Sequence, residues 1–447
     1  MVKAKRLLSV VLVGMVAVST LSACGSTNNS GQKNDSATNS GSAGAGSSDK
    51  KVTLSLQTPY ADESNVNLKT LRRLIGEYTK AHPNITINVD ALTTDQQKLK
   101  LKTQAASNEI PDITSLNPGA QMKPFADEGL LAPLDDVLAK DGLKDTFKQG
   151  VLSNYTFGGK TYGLPETLDI AYVYYNKDLF KQAGVEIPST YEELVASAKK
   201  FNAKGIIPLT IGEKETWTGS FFLMNIVLRE AGVGFLKDVM DKKKKFTDAP
   251  YVQSLAKFKD FINAKGFEEG AVSVDYATAQ NLFLSGKAAM YFTASWDAGS
   301  IENSTIKDSV GVFPFPTVDG KGDVSEFMLS PGNSYVISAA SKHMAEAKDF
   351  LHFYMTNFPK VMFELKGGVG LAQNVDGDFK AAGYSQTAID VLNLFKTVKG
   401  GDLAFDNTID PTTTQTHLNG VQNVFVGDES AADTAKQLQN DFEMNNP

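Results

Sequence analysis

The sequence predicts an α/β body in which helices cover parallel sheets. Three observations carry this. Strand and helix patterns alternate from residue 52 to 115, the same alternation resumes after Tyr162, and the 447 residues are 42% apolar and 21% charged, the balance of an ordinary globular protein. Length alone suggests about three domains, or one large two-lobed unit.

The elements follow in order. Residues 52–57 (VTLSLQ) alternate apolar and polar side chains, as a strand with one buried face does. Leu68, Leu71, Ile75 and Tyr78 share one stripe of a helix over 67–80, which Pro83 stops. Ile85, Ile87, Val89 and Ala91 alternate as a second strand, 94–108 reads as a helix and 112–115 as a short strand. Past Tyr162, the run 170–176 (IAYVYYN) is strongly β-prone, and Asp178 is placed to cap a short helix that Gly184 ends. Thr190 with Glu193 three residues on forms a capping box, and the helix it opens runs to Lys204 and closes at Gly205. A strand at 206–211, a mostly helical stretch over 218–266, strands at 288–293, 310–313 and 334–337, and helices at 344–356, 384–398 and 430–444 complete the reading. There is no internal repeat.

The first 50 residues stand apart. Lys3, Lys5 and Arg6 precede a mainly apolar run of fifteen residues (7–21), short for a membrane span and suited to a secretion signal. Leu21-Ser22-Ala23-Cys24 then resembles a bacterial lipobox, and the chain's single Cys occupies the one position that lipidation needs. The resemblance implies cleavage after residue 23, diacylation of Cys24 and anchoring on the extracytoplasmic face of the cell membrane, as in a Gram-positive bacterium. Each buried CH₂ of such an anchor contributes about 0.8 kcal/mol. Residues 25–50 contain no Leu, Ile, Val or aromatic side chain and read as a flexible linker, spanning about 28 Å root-mean-square. Loss of residues 1–23 would move the net charge from −7 to −10.

Several chemistries are excluded. One Cys forms no disulfide framework or multi-thiolate zinc site, and the four His include no pair at metal-ligand spacing. The acidic balance argues against nucleic acid as a partner. There is no G-x-x-x-x-G-K-[ST], G-x-S-x-G or H-E-x-x-H. The Lys242–Lys245 run lies between Asp241 and Asp248 and reads as a solvated turn. No cofactor or metal is implied.

Four segments together resemble the extracellular solute-binding proteins of ABC importers, of the sugar-binding, maltose-binding-protein-like kind. They are Ala126-Asp127-Glu128-Gly129-Leu130-Leu131-Ala132-Pro133-Leu134; Gly159-Lys160-Thr161-Tyr162-Gly163-Leu164-Pro165 followed by Tyr174-Tyr175-Asn176-Lys177-Asp178-Leu179-Phe180; Phe283-Leu284-Ser285-Gly286-Lys287-Ala288-Ala289-Met290 with Ser295-Trp296; and Ser341-Lys342-His343 with Glu346-Ala347 and Phe350-Leu351. They keep the family's order from about 52 to 375, and the last 70 residues match loosely. The resemblance implies a two-lobed, type II periplasmic-binding-protein-like fold with a ligand cleft between lobes. By that analogy residues 51–168 and 317–372 form lobe 1, residues 169–316 and 373–447 form lobe 2, and the chain crosses near 168–171, 314–317 and 371–375.

A sugar offers hydroxyls to carboxylates and amides and an apolar C–H face to an aromatic ring. Trp296 and Asp297 follow a strand where the family has its stacking Trp; their alternatives are a core Trp and a helix cap. Glu215 and Trp217, after strand 206–211, resemble the family's carboxylate-and-aromatic pair, or else a solvated Glu and a packed Trp. Asp169 occupies the hinge position of a ligand-contacting carboxylate, and an acid between Leu168 and Ile170 is costly unless it is hydrogen-bonded. Tyr60, Asp62 and Glu63 occupy the loop after the first strand, Asn117 and Gln121 the loop after strand 112–115. Asp406, Asp410 and Thr412 to Thr414 precede a helix and offer weaker candidates.

The function that follows is a non-enzymatic lipoprotein, a monomer, that binds a di- or oligosaccharide and delivers it to the transmembrane subunits of an ABC permease. Two alternatives stay open. Acids around aromatic rings also suit a cationic small solute. An extracellular glycoside hydrolase would use paired carboxylates, with Asp169 and Glu215 the first choice.

Overall fold

The computed structural model describes residues 50–427 and 429–447. The signal segment 1–23, Cys24 and the linker up to residue 49 lie outside them. Residues 50–447 form one compact unit.

The described residues hold thirteen strands, eleven of them in two main sheets: β1 (Val52–Thr58), β2 (Ile85–Ala91), β3 (Ile113–Leu116), β4 (Thr156–Phe157), β5 (Lys160–Thr161), β6 (Leu164–Pro165), β7 (Leu168–Asn176), β8 (Ile207–Thr210), β9 (Ala288–Ala294), β10 (Val310–Phe313), β11 (Glu326–Pro331), β12 (Ser334–Ile337) and β13 (Gly400–Leu403). The first sheet has the order β2-β1-β3-β12-β6. The alternating face of β1 pairs parallel with β2, Val52 opposite Ile85, while β12 runs antiparallel to β3. The second sheet has the order β13-β11-β7-β9-β8, with β10 also on β7. Every residue of β9 is buried, as expected where helices cover both faces. Strands β4 and β5 form a separate hairpin. The arrangement is the two-lobed α/β type II fold that the resemblance implies, but its sheets are mixed rather than parallel: β12 runs antiparallel to both β3 and β6, and β7 antiparallel to β9, β10 and β11.

Helix Val66–Ala81 begins at Asn65, whose side chain accepts the amides of Asn67 and Leu68. Its apolar stripe (Leu68, Leu71, Leu74, Tyr78) packs with helix Met344–Glu364 over the first sheet. The second core centres on Phe222, in helix Trp217–Ala231, stacked on Phe261 of helix Ala249–Asn263. The capping box at Thr190 and Glu193 is formed. Asn176, not Asp178, caps helix Lys177–Ala183, because its side chain reaches the amides of Asp178 and Leu179.

Three passes of the chain between the sheets lie side by side. The Leu168 amide donates to Gly370 O (2.8 Å), the Ala372 amide to Glu166 O (3.0 Å), the Glu166 amide to Asn333 O (3.1 Å) and the Gly332 amide to Thr167 O (2.9 Å). The passage expected at 314–317 is displaced. The chain stays with the second sheet through β11, where Leu329 pairs with Ile170, and crosses at Gly332 and Asn333. Arg229, buried inside helix Trp217–Ala231, pins the intervening segment by donating to Phe315 O at 2.9 Å and Glu326 O at 2.8 Å. A β-carbon at Gly332 would lie 1.9 Å from Thr167 Oγ1, so only glycine lets these passes touch.

Candidate functional site

A cavity of about 540 Å³ opens where the passes meet. Most of its wall comes from segments that follow β1, β2, β3, β8, β9, β11 and β13, the carboxyl ends of strands in both sheets, and the start of β7 and of helix Tyr276–Leu284 complete it. Such ends are the usual place for a ligand in α/β folds.

One wall is aromatic. Trp217 opens its helix and Phe221 follows one turn later, so the two rings share a face. Trp296, in the turn after β9, stacks on Phe221 with centroids 5.7 Å apart and meets Trp217 edge-on at 5.8 Å. Its indole Nε1 donates to the Tyr276 hydroxyl at 2.7 Å. All four rings line the cavity, and both tryptophans are partly exposed. Among the described residues, Trp217 Nε1 has no hydrogen-bond partner.

Behind this wall Asp297 is a hub. Its Oδ2 accepts from the hydroxyls of Tyr291 (2.8 Å), Thr293 (2.9 Å) and Tyr276, and its Oδ1 from Gln280 Nε2 (2.8 Å). Burial raises its pKa and the four donors oppose that shift. With both oxygens occupied, its main work is to hold Tyr276 and, through it, Trp296. Glu215 Oε2 accepts the Tyr276 amide (2.9 Å), which fixes the start of helix Tyr276–Leu284, and burial raises this carboxyl too.

At the hinge Asp169 is fully buried on β7. Its Oδ1 accepts from the Ser295 hydroxyl (2.7 Å), and its Oδ2 has no partner among the described residues. Burial pushes its pKa up to about 7. Three residues earlier, buried Glu166 accepts from the hydroxyls of Tyr60 (2.7 Å) and Tyr354, and burial raises it to about 7.

The structure brings Tyr60, Asp62, Asn117, Asp169, Glu215, Trp217, Trp296 and Asp297 to the cavity wall. Glu63 lies on the surface, paired with Arg72 (Nε to Oε2, 3.0 Å), and does not reach the wall. Gln121 also stands off the wall and bridges instead to the far side of the cleft, donating to Asp406 Oδ2 (2.7 Å) and Asn407 Oδ1 (3.0 Å). Asp406 lines the cavity, while Asp410 is spent as the cap of helix Pro411–Val426. Sequence reasoning missed Tyr276, Gln280 and Phe221. The i, i+4 spacing of Trp217 and Phe221 was a usable signal, but nothing local marks Tyr276, which acquires its role from contacts to β9. Among the described residues no group of three or more His, Cys, Asp or Glu is placed to hold a metal ion, and no helix is long and apolar enough to cross a membrane.

Comparison with known proteins agrees with this geometry. Residues 62–357 match the bacterial extracellular solute-binding protein family. The multiple sugar-binding protein of Streptococcus mutans is 23% identical over 316 residues, covering 69% of this chain and 72% of that protein. A structure from work on xylan utilization by Caldanaerobius polysaccharolyticus superposes with a TM-score of 0.81 and 29% identity, covering 87% of this chain and 99% of the other. The maltose/maltodextrin-binding domain of Bdellovibrio bacteriovorus bound to maltotriose gives 0.71 and 19%, covering 88% and 99%, a likeness of fold.

Proposed function

The chain belongs to the bacterial extracellular solute-binding proteins, and from that premise we propose that it captures a carbohydrate, a disaccharide or short oligosaccharide, and delivers it to an ABC permease. The observation that carries this is the cavity at the lobe junction, with Trp217 and Trp296 on one wall and hinge and loop carboxylates around them. The rings match the C–H face of a pyranose, and carboxylate and amide oxygens match its hydroxyls. Arginine is missing from the wall, and its two lysines, Lys98 and Lys214, stand among seven acids, so a sugar phosphate is disfavoured. The multiple sugar-binding name of the Streptococcus mutans relative and the xylan setting of the Caldanaerobius structure support the same class.

No covalent step is part of the proposal: the ligand is bound, enclosed and released. The protein acts as a monomer, held through a lipid on Cys24 at the extracytoplasmic face of the membrane, with residues 25–50 as its leash. Closure of the lobes is stabilised by the ligand only through contacts that are better in the closed state.

Isothermal titration with xylo-, malto- and chito-oligosaccharides tests the reading, with spermidine and glycerol phosphate as controls. Heat from one sugar class supports it and names the substrate. Binding of spermidine alone replaces it with a cation site.

A further inference from the structure

Beneath the aromatic wall, three helices contribute a buried polar chain. Ser220, one turn into helix Trp217–Ala231, lines the cavity. Its Oγ lies 2.7 Å from Nε2 of His417, in helix Pro411–Val426. Nδ1 of the same ring lies 2.9 Å from the hydroxyl of Tyr251, in helix Ala249–Asn263. The imidazole lies flat on Phe405, with centroids 3.8 Å apart and an angle of 6°, which fixes the plane of its two nitrogens. Burial lowers its pKa to about 3, so the ring is neutral and carries one donor and one acceptor.

Which nitrogen holds the proton decides what Ser220 offers the cavity. If Nδ1 held it, the ring would donate to Tyr251, and the phenolic proton would be left buried without an acceptor. Among the described residues, His417 Nδ1 is the only acceptor within reach of that hydroxyl. A buried donor without a partner costs about 1–3 kcal/mol. If Nε2 holds the proton, Tyr251 donates to Nδ1, Nε2 donates to Ser220 Oγ, and the one proton left over is that of Ser220, at the cavity wall where a ligand or water takes it. The second arrangement leaves nothing buried unpaired.

We infer that Tyr251, His417 and Ser220 form a one-way hydrogen-bond relay that holds the Ser220 hydroxyl as a donor to a ligand oxygen. Given the carbohydrate reading, on which this half of the inference rests, the acceptor is a sugar hydroxyl or an acetal oxygen. Ser220 is the ligand-contacting residue, and His417 and Tyr251 are positioning residues. The direction also separates the pair from a nucleophile–base pair. A serine that accepts from a histidine is not deprotonated by it, so the close Ser–His contact builds no acyl-transfer site.

The tautomer is directly measurable. In the full chain labelled with ¹⁵N-histidine and held in mild detergent, two-bond ¹H–¹⁵N correlation at neutral pH is expected to show His417 protonated on Nε2 and bare on Nδ1. A His417→Gln sample assigns the signal among the four histidines. A ring protonated on Nδ1, or on both nitrogens, overturns the relay. Titration with xylotriose, maltotriose and diacetylchitobiose tests the ligand half. Ser220→Ala is expected to weaken the sugar that wild type binds by about tenfold, the loss of one good hydrogen bond. Unchanged affinity for that sugar overturns the contact. Wild type that binds none of the three while showing the Nε2–H tautomer overturns the carbohydrate reading, and the ligand half with it, and leaves the relay standing.

Discussion

The Tyr60 hydroxyl donates to Glu166 Oε2 at 2.7 Å, and this one bond ties the cavity wall to the hinge. Tyr60 follows β1 and lines the cavity, while the backbone of Glu166 is bonded to both neighbouring chain passes, at Asn333 and Ala372. The other carboxylate oxygen takes the hydroxyl of Tyr354, in the long helix over the first sheet. Glu166→Ala leaves two phenols without an acceptor, Tyr354 fully buried and Tyr60 partly so. It is expected to cost about 2–5 kcal/mol of unfolding free energy, since each orphaned group costs about 1–3 kcal/mol. Tyr60→Phe removes one bond and should cost about 1 kcal/mol. Denaturant melts of both variants check this, and equal losses would show that Glu166 does not act through both tyrosines.

The buried acids set a pH dependence. Burial raises Glu166 and Asp169 to about 7 and Glu213 to about 8, above the ordinary carboxylate range. Between those ranges the folded protein holds protons that the unfolded chain has released. The stabilising contribution is therefore complete below about pH 4 and is lost as pH rises through 7 to 8. The unfolding free energy is expected to fall between about pH 5 and about pH 8.5 by an amount on the order of a few kcal/mol, read from denaturant melts across that range. Glu213 is fully buried, accepts from the Thr218 hydroxyl (2.6 Å) and the Gly219 amide, and has one oxygen unpartnered. Glu213→Gln keeps an acceptor without an ionisable proton and should flatten the upper part of the slope. A slope unchanged in that variant assigns the loss to other groups.

The two tryptophans of the chain both stand in the cavity wall, so intrinsic fluorescence reports ligand directly. Trp296→Ala is expected to weaken sugar binding at least about tenfold, removing a ring worth about 1–3 kcal/mol of buried contact. The far-ultraviolet spectrum should be unchanged, since Phe221 and Asp297 keep their own partners. Full affinity in this variant would take Trp296 out of the site.

How much of this was legible depends on whether a signal is local. Strands β1 and β2 and the capping box at Thr190 follow from side-chain alternation and one short motif. Strand β11 did not, because its four central residues show no alternation and its place is fixed by β7 and by the buried Arg229. The same holds in the site. Trp296 and Trp217 stand out as rare aromatics after strands, whereas Tyr276 and His417 become functional candidates only when distant elements bring Asp297 and Ser220 to them. Glu63 and Gln121 share loops with wall residues but turn to Arg72 and to Asp406, choices made by partners far along the chain or on another face.

Cys24 carries a prediction that the fold does not touch. With lipidation at its thiol and the linker as a tether, the Cys24→Ser chain is expected to leave the membrane fraction and keep its ligand affinity. Variant protein that still sediments with membranes would remove the lipid anchor from the proposed function.

The last prediction concerns closure. Gln121, behind β3, donates to Asp406 Oδ2 at 2.7 Å, and Lys98 lies 3.5 Å from the same oxygen, while Asp406 itself follows β13 of the other sheet. Next to them a β-carbon at Gly119 would fall 2.2 Å from Asn407 O, so the two backbones touch. These bonds join segments that follow strands of the two sheets, so parting the lobes at this place would break them. Asp406→Ala removes both side-chain contacts, about 1–2 kcal/mol for a partly exposed set. Because closure precedes tight binding, that loss raises Kd by about five- to thirtyfold, chiefly through faster release. Small-angle scattering of the ligand-free variant should show a larger radius of gyration than wild type. An unchanged radius together with an unchanged release rate would mean that the lobes are held by the hinge alone.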